Sequence, residues 1–252
     1  HENLKAAADL CGRLGFQFVE INMNFPMYQL LLLEKTDELN ALAGKYRIYF
    51  TIHLDENLNV CDFNPLVAEA YLETVERAIR AAGKIGAPLL NMHMNHGIYV
   101  TLPDRKAALY ERYKEEYLSS IRRFRERCGQ AAEEAGTKIC IENTDGFREY
   151  EREAIDLLLQ SDAFALTWDI GHSHACGNAD EPFLTERRDR LCHFHIHDGL
   201  GGKNHQTLGT GEIDLAHRLG VAESCSGRCV VETKTVEALE QSAAWLRERG
   251  YL

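Results

Sequence analysis

The fold of this chain turns on one stretch, Ala165–Gly177, ALTWDIGHSHACG. An apolar run ends in Asp169, and His172 and His174 follow within five residues. A carboxylate at the end of a buried strand, with imidazoles on the departing loop, is one way to hold a divalent cation. In its simplest form Asp169, His172 and His174 share one ion, with the thiol of Cys176 close by as a further ligand to watch.

The same pattern recurs on both sides of this stretch. Apolar runs end in IHL at His53, in MHM at His93, in IEN at Glu142 and Asn143, in HIHD at His195, His197 and Asp198, and in VET at Glu232, with Lys234 two residues on. A single histidine closing an apolar strand is often only a satisfied core residue, and His53 or His93 alone would read that way. A carboxylate such as Glu142 or Glu232 at the end of ICIE or CVVE is costly to bury unless it is paired or bound to a cation. Six successive strands that each deliver an imidazole or carboxylate imply convergence on one site. Period-two alternation puts His193, His195 and His197 on one strand face; one ligand with two supporting residues is the expected division among them.

The segments between these runs read as helices. Helices are predicted over 1–14, 27–43, 65–82, 106–135, 149–160, 213–219 and 235–250, and strands over 16–23, 47–54, 87–94, 137–143, 164–169, 191–197 and 227–232. Residues 55–64, 95–105, 179–189 and the glycine-rich 199–211 read as polar connections. Pro65 suits a first helical position, and the Arg, Lys and Glu residues of 106–135 read as a solvated outer face. Alternating strand and helix with no linker predicts crossover units, a parallel sheet and one domain over 1–252. Seven strands are visible and the chain opens on a helix. A first strand upstream of His1 would complete a (β/α)8 TIM barrel, in which chemistry gathers at the C-terminal strand ends. A doubly wound open sheet, the alternative, predicts no such ring of ligand-type residues.

Composition narrows the partners. The 252 residues carry 27% charged and 45% hydrophobic side chains with a net charge of −11, and mean hydropathy is −0.33. An acidic field of this size opposes a polyanion unless basic residues gather on one face, which disfavours nucleic acid. No run is long enough to cross a membrane. The eight cysteines include no CxxC and read as reduced thiols, Cys140 and Cys192 as small core hydrophobes, which with no recognisable secretory signal predicts a cytoplasmic protein.

The motifs IEN at Ile141–Asn143, DIGH at Asp169–His172, HIHD at His195–Asp198 and HQTLGTGEID at His205–Asp214 resemble the xylose isomerase-like TIM-barrel superfamily, and they recur in the expected order along the whole chain. That group contains sugar and sugar-phosphate isomerases and epimerases, and the endonuclease IV type of AP endonuclease. For the epimerase branch the resemblance implies one divalent metal (Mn, Mg, Co or Zn) held by Glu142, Asp169, His195 and Glu232. Glu142 and Glu232 would move a proton off and onto a carbon next to a carbonyl, through an enediolate. His172 and His93 would bind substrate hydroxyls, and Lys203 or Lys234 a substrate phosphate or carboxylate, unless these lysines are simply surface residues. For the endonuclease branch it implies three zinc ions, with His53 and His93 joining Glu142 in a second site and His172 and His205 in a third. At Lys203 the chain departs from that branch, which has an aspartate two residues before the histidine matched by His205; a cationic lysine cannot replace it as a ligand.

The acidic connection DENLNVCDFN after His53 also lacks the basic and aromatic wedges a DNA enzyme needs. The balance favours a carbohydrate substrate, with specificity in the loops around Phe25, Tyr99 and Phe147, and leaves a homo-oligomer open. Asp169 then groups with Glu142, His195 and Glu232. His172 turns to the substrate or a further metal, and His174 becomes a supporting or surface residue.

Overall fold

The computed structural model describes residues 3–252. Seven parallel strands form one sheet: β1 Phe18–Asn22, β2 Tyr49–His53, β3 Leu89–His93, β4 Lys138–Glu142, β5 Phe164–Asp169, β6 Leu191–Ile196 and β7 Arg228–Val231. Spatial order follows chain order and every ladder is parallel. A doubly wound sheet reverses its strand order at a switch point. This one never does, so it curls as a TIM barrel. Among the described residues no ladder joins β1 to β7. A groove of about 380 Å³ lies between them, lined by residues of β1, β7 and the two helices outside, including Cys11, Val19, Val231 and Leu239.

The main helices are α1 Leu4–Arg13, α2 Thr36–Tyr46, α3 Pro65–Ile85, α4 Lys114–Ala135, α5 Glu149–Leu158, α6 Ile170–Ala175, α7 Leu215–Ser224 and α8 Val236–Glu248. Their starts follow the sequence. Side-chain oxygens of Asn3, Asn64, Asp169, Asp214 and Thr235 accept backbone N–H groups in the first turns of α1, α3, α6, α7 and α8, and Pro65 occupies the first turn of α3. None of the described helices is long and apolar enough to cross a membrane.

Five predicted segments differ. The helix expected over 27–43 is broken into a 3-10 turn, a four-residue helix Leu30–Leu33 and α2. Consecutive leucines cannot share one helix face, and Leu31 is left 80% exposed. The helix expected over 106–135 is a four-residue helix, Leu109–Arg112, followed by α4 from Lys114. The first residues of the expected span pair instead in a hairpin, Tyr99–Thr101 with Lys106–Ala108, whose turn contains Pro103. The loop expected over 199–211 contains a second hairpin, with Asp198–Leu200 antiparallel to Lys203–Gln206. The polar segment 179–189 hides a short helix, Glu181–Glu186, anchored by buried Phe183 and Leu184. The helix expected over 213–219 starts at its cap, Asp214, and runs on to Ser224. For the first predicted helix, residues 1 and 2 lie outside the described residues.

The barrel wall has two unlike faces. Phe50, Ile52, Leu90, Met92, Ile139, Ile141, Phe164, Leu166, Trp168, Phe194 and Ile196 are buried in one continuous core with helical residues such as Val75, Phe124 and Ile155. Fully burying one such side chain contributes roughly 1.5–3 kcal/mol. Packing is close: a Cβ at Gly227 would lie 2.3 Å from the Phe194 ring. The alternate residues point into the barrel. At its lower end they are small, with Leu89, Cys140, Ala165 and Cys192 forming a separate cluster and the two thiol sulfurs 3.3 Å apart. A register shift at the start of β6 brings Cys192 into this group. Above them the interior becomes polar.

Candidate active site

Five strand ends and the residue after β7 supply the upper layer. His53, His93, Glu142 and Asp169 are the last residues of β2 to β5, His195 is next to last in β6, and Glu232 follows β7. Glu142, Asp169 and His195 are at most 1% exposed. Nδ1 of His195 faces three carboxylates: Glu142 Oε1 at 3.0 Å, Glu232 Oε1 at 3.3 Å and Asp169 Oδ2 at 4.0 Å. The other Glu142 oxygen lies 3.3 Å from Nε2 of His53 and 3.2 Å from Nε2 of His93. Glu142 therefore stands between two groups, one with Asp169 and His195, the other with His53 and His93.

These spacings fit a metal. Ligands about 2.1 Å from one ion lie roughly 3–4.2 Å from each other, and the Glu142, Glu232 and Asp169 oxygens lie 3.0, 3.3 and 4.0 Å from His195 Nδ1. Buried carboxylates this close together require positive charge, and the donor set of oxygens with one imidazole suits Mn, Mg, Co or Zn.

The two glutamates differ electrostatically. Burial alone would raise the Glu142 carboxyl, but His195, His93 and His53 hold it well below the usual range. Glu232 is raised, because burial and the neighbouring Asp169 and Glu142 charges outweigh the attraction of His195. Asp169 is lowered: His197 above all outweighs the burial that opposes its charge. His53 is raised to about 9, since its contacts with Glu142 more than offset the burial that disfavours its charge.

Supporting contacts fix these groups. One Asp169 oxygen caps α6 by accepting the His172 N–H at 2.6 Å. Asn143 accepts the Asp169 N–H at 2.9 Å and donates to its carbonyl at 3.0 Å. Asn91 donates to Glu142 and accepts from the Thr167 hydroxyl at 2.5 Å. Sequence reasoning missed Asn91, although it stands two residues before His93, on the same strand face. Asp198 proves structural: its oxygens accept the N–H groups of Gly199, Gly209, Gly211 and Ile213, closing the glycine loop.

The proposed third group changes composition. Lys203 is exposed on the second hairpin, while His197 joins His172 and His205. The His197 and His205 rings are 4.2 Å apart between centroids. His197 Nδ1 accepts the His205 backbone N–H at 2.8 Å, so its Nε2 carries the proton and faces Asp169 at 3.2 Å. A metal at His197 would have to break that arrangement. As a donor the ring orients Asp169, and it fills the space beside Gly171, where a Cβ would lie 1.8 Å from it. His172 Nδ1 lies 3.6 Å from Asp169, and His205 Nδ1 lies 3.6 Å from Glu232. Burial above all pushes His205 down to about 4, which leaves it neutral at pH 7.

The remaining candidates lie around this centre. Lys234 is exposed beyond β7. His174 turns away to Glu212, 3.1 Å distant. The Cys176 thiol donates to the Ser173 carbonyl, and among the described residues no cysteine belongs to a potential metal-binding group. Phe25, on a loop, and Tyr99, in the first hairpin, are 40% and 41% exposed, whereas Phe147 is buried against Phe183. Beside the mouth, His96 links the loops after β3 and β4 by contacting Asp145 and Glu151. Arg148 pairs with Asp145 through both of its oxygens and holds that carboxyl down to about 2.

Comparison with known proteins agrees with this architecture. The family model described as xylose isomerase-like TIM barrel matches residues 8–249. No curated protein shows a significant sequence match. Among solved structures the chain is similar to a D-tagatose 3-epimerase-like protein, with 23% identity, 92% of this chain and 88% of that chain covered, and a TM-score of 0.75. It is also similar to the E. coli 3-keto-D-glucoside 4-epimerase YcjR, with 18% identity, coverage of 98% and 95% and a TM-score of 0.78. A third is an IOLI protein with a bound zinc atom, with 19% identity, coverage of 99% and 93% and a TM-score of 0.74. At these identities the solved structures speak for the fold. With the family model spanning nearly the whole chain, the protein belongs to the xylose isomerase-like TIM-barrel family.

Proposed function

We propose that this protein is a divalent-metal-dependent isomerase or epimerase of a sugar, polyol or sugar phosphate. The observation that carries this reading is the approach of one imidazole nitrogen, His195 Nδ1, to three carboxylates, those of Glu142, Asp169 and Glu232. Glu142, Asp169, His195 and Glu232 would hold the ion, whose chemistry is Lewis-acid polarisation of the substrate carbonyl. Glu142, kept ionised, takes the proton from the carbon next to that carbonyl, and the C–H electron pair passes into an enediolate. Glu232, whose carboxyl is raised by burial and by the Asp169 and Glu142 charges, returns a proton to carbon. Their strands are separated by β5 and β6, so the two carboxyl groups approach a substrate from different sides. Such a split is the signature of an acid and base pair. His172, His205 and His93 contribute hydrogen bonds to substrate hydroxyls. The epimerases among the similar solved structures support a sugar substrate.

The second reading is a zinc phosphodiesterase of the endonuclease IV type, and the His53–His93–Glu142 group favours it because that group could hold another ion. The exposed lysine at 203 and the acidic loop after β2 weigh against it.

Metal counting and isotope exchange separate the two. One exchangeable ion per chain and solvent-proton exchange into a ketose, lost in Glu142→Gln and Glu232→Gln, is the expected result. Two or three zinc ions together with nicking of abasic DNA would sink the isomerase reading.

A further inference from the structure

A third carboxylate-rich feature lies one layer below the candidate metal centre. Glu20 is in the middle of β1, in FVEIN, its side chain is 6% exposed inside the barrel, and among the described residues its ion-pair partners are the histidines His193 and His195. Burying a carboxylate there is expensive. Its two oxygens have different partners. Oε2 accepts from the Thr51 hydroxyl at 2.8 Å and from His193 Nε2 at 3.0 Å. Oε1 faces His195 Nε2 at 2.9 Å, an ion-pair contact too bent to count as a hydrogen bond. His195 is thus held between Glu20 on one ring nitrogen and the Glu142, Asp169 and Glu232 carboxylates on the other.

An imidazole can offer a lone pair to a metal from only one nitrogen, and the proton on the other nitrogen decides which. We propose that Glu20 is a positioning residue for the metal centre: it holds His195 with the proton on Nε2, so that Nδ1 presents its lone pair to the space among Glu142, Asp169 and Glu232. Thr51 and His193 orient Glu20 in turn, by occupying the oxygen that His195 does not face. The inference rests on the metal-dependent reading above and extends it to a residue outside the ligand set. The same construction recurs across the barrel, where Thr167 orients Asn91 and Asn91 holds Glu142.

The test compares wild type with Glu20→Gln, which keeps the size of the side chain and removes its charge. Manganese or zinc affinity is measured by competition with a chromogenic chelator, the His195 tautomer by nitrogen-15 NMR of the zinc-loaded protein, and folding by melting in chelator. Glu20→Gln is expected to melt near wild type in chelator but to bind metal about 10-fold to 100-fold more weakly and to lose the single Nε2-protonated signature of His195. If that variant fails to fold, Thr51→Val leaves the carboxylate in place with one donor fewer, and affinity should fall about twofold to tenfold. A folded Glu20→Gln with wild-type affinity and tautomer, or an unchanged affinity in Thr51→Val when Glu20→Gln does not fold, overturns the positioning role alone. A wild-type protein that binds neither metal overturns the metal reading and this inference with it.

Discussion

The two faces of the barrel wall are built from alternate residues of the same strands, yet they do different work. In β6, Phe194 and Ile196 face the helices while His193 and His195 face the axis; in β5, Leu166 and Trp168 alternate with Thr167 and Asp169. The outer face is apolar without interruption, so its burial supplies folding free energy. The inner face carries almost no apolar surface above the Cys140–Cys192 layer. Most of its polar groups pair with one another, while His193 Nδ1 and His195 Nε2 have no hydrogen-bond partner among the described residues, which makes it a site that the fold supports and that contributes little to holding the fold together. A polar interior is affordable here because the wall's other side is so fully packed.

That division can be broken most sharply at Glu142. Glu142→Gln should lower solvent-proton exchange into substrate by about 10²-fold to 10⁴-fold, with a much smaller change in urea unfolding; an equal loss of stability would mean the inner face is structural after all. Phe194→Ala makes the reciprocal change. It should cost about 3–5 kcal/mol in urea unfolding while exchange per folded molecule stays near wild type.

Asn91→Ala sits between these extremes. It leaves a Glu142 oxygen short of a donor and should cost about 1–3 kcal/mol, read as the difference between unfolding curves with and without added metal.

The pH response sharpens the comparison further. His53 is raised to about 9 beside Glu142, so in chelator-treated protein its stabilisation is complete below the unfolded value near 6.5 and is lost as pH climbs to about 9. Melting temperature should decline across that window, and His53→Gln should flatten the decline. If the slope persists unchanged in the variant, another group on the inner face sets it. The smallest effect belongs to Cys176, which stands outside both faces: Cys176→Ser should shift stability by no more than about 0.5 kcal/mol and leave metal content as it was.

Much of this was legible before any coordinates. Alternation of strand and helix predicted parallel crossover units. The recurrence of His53, His93, Glu142, Asp169, His195 and Glu232 at strand ends marked one set of residues, because period two and the C-terminal end of a strand are local properties. Less visible were Asn91 and Glu20, polar residues in mid-strand whose meaning lies in what stands opposite. The fault at 106–135 has a different origin: a charged sequence supports helix well enough, and only pairing with Tyr99–Thr101 draws its first residues into a hairpin.

By itself, then, the sequence determined the seven barrel strands, that they run parallel, and which side chains reach the mouth of the barrel, since each follows from periodicity and punctuation within a few residues. Tertiary structure decided which oxygen of Glu142 meets which imidazole, that His197 stands beside His172 and His205, and how the carboxyls of Glu142 and Glu232 come to be driven apart. Those outcomes depend on distances between residues far apart in the chain and on the burial they share, and neither quantity exists until the sheet has curled.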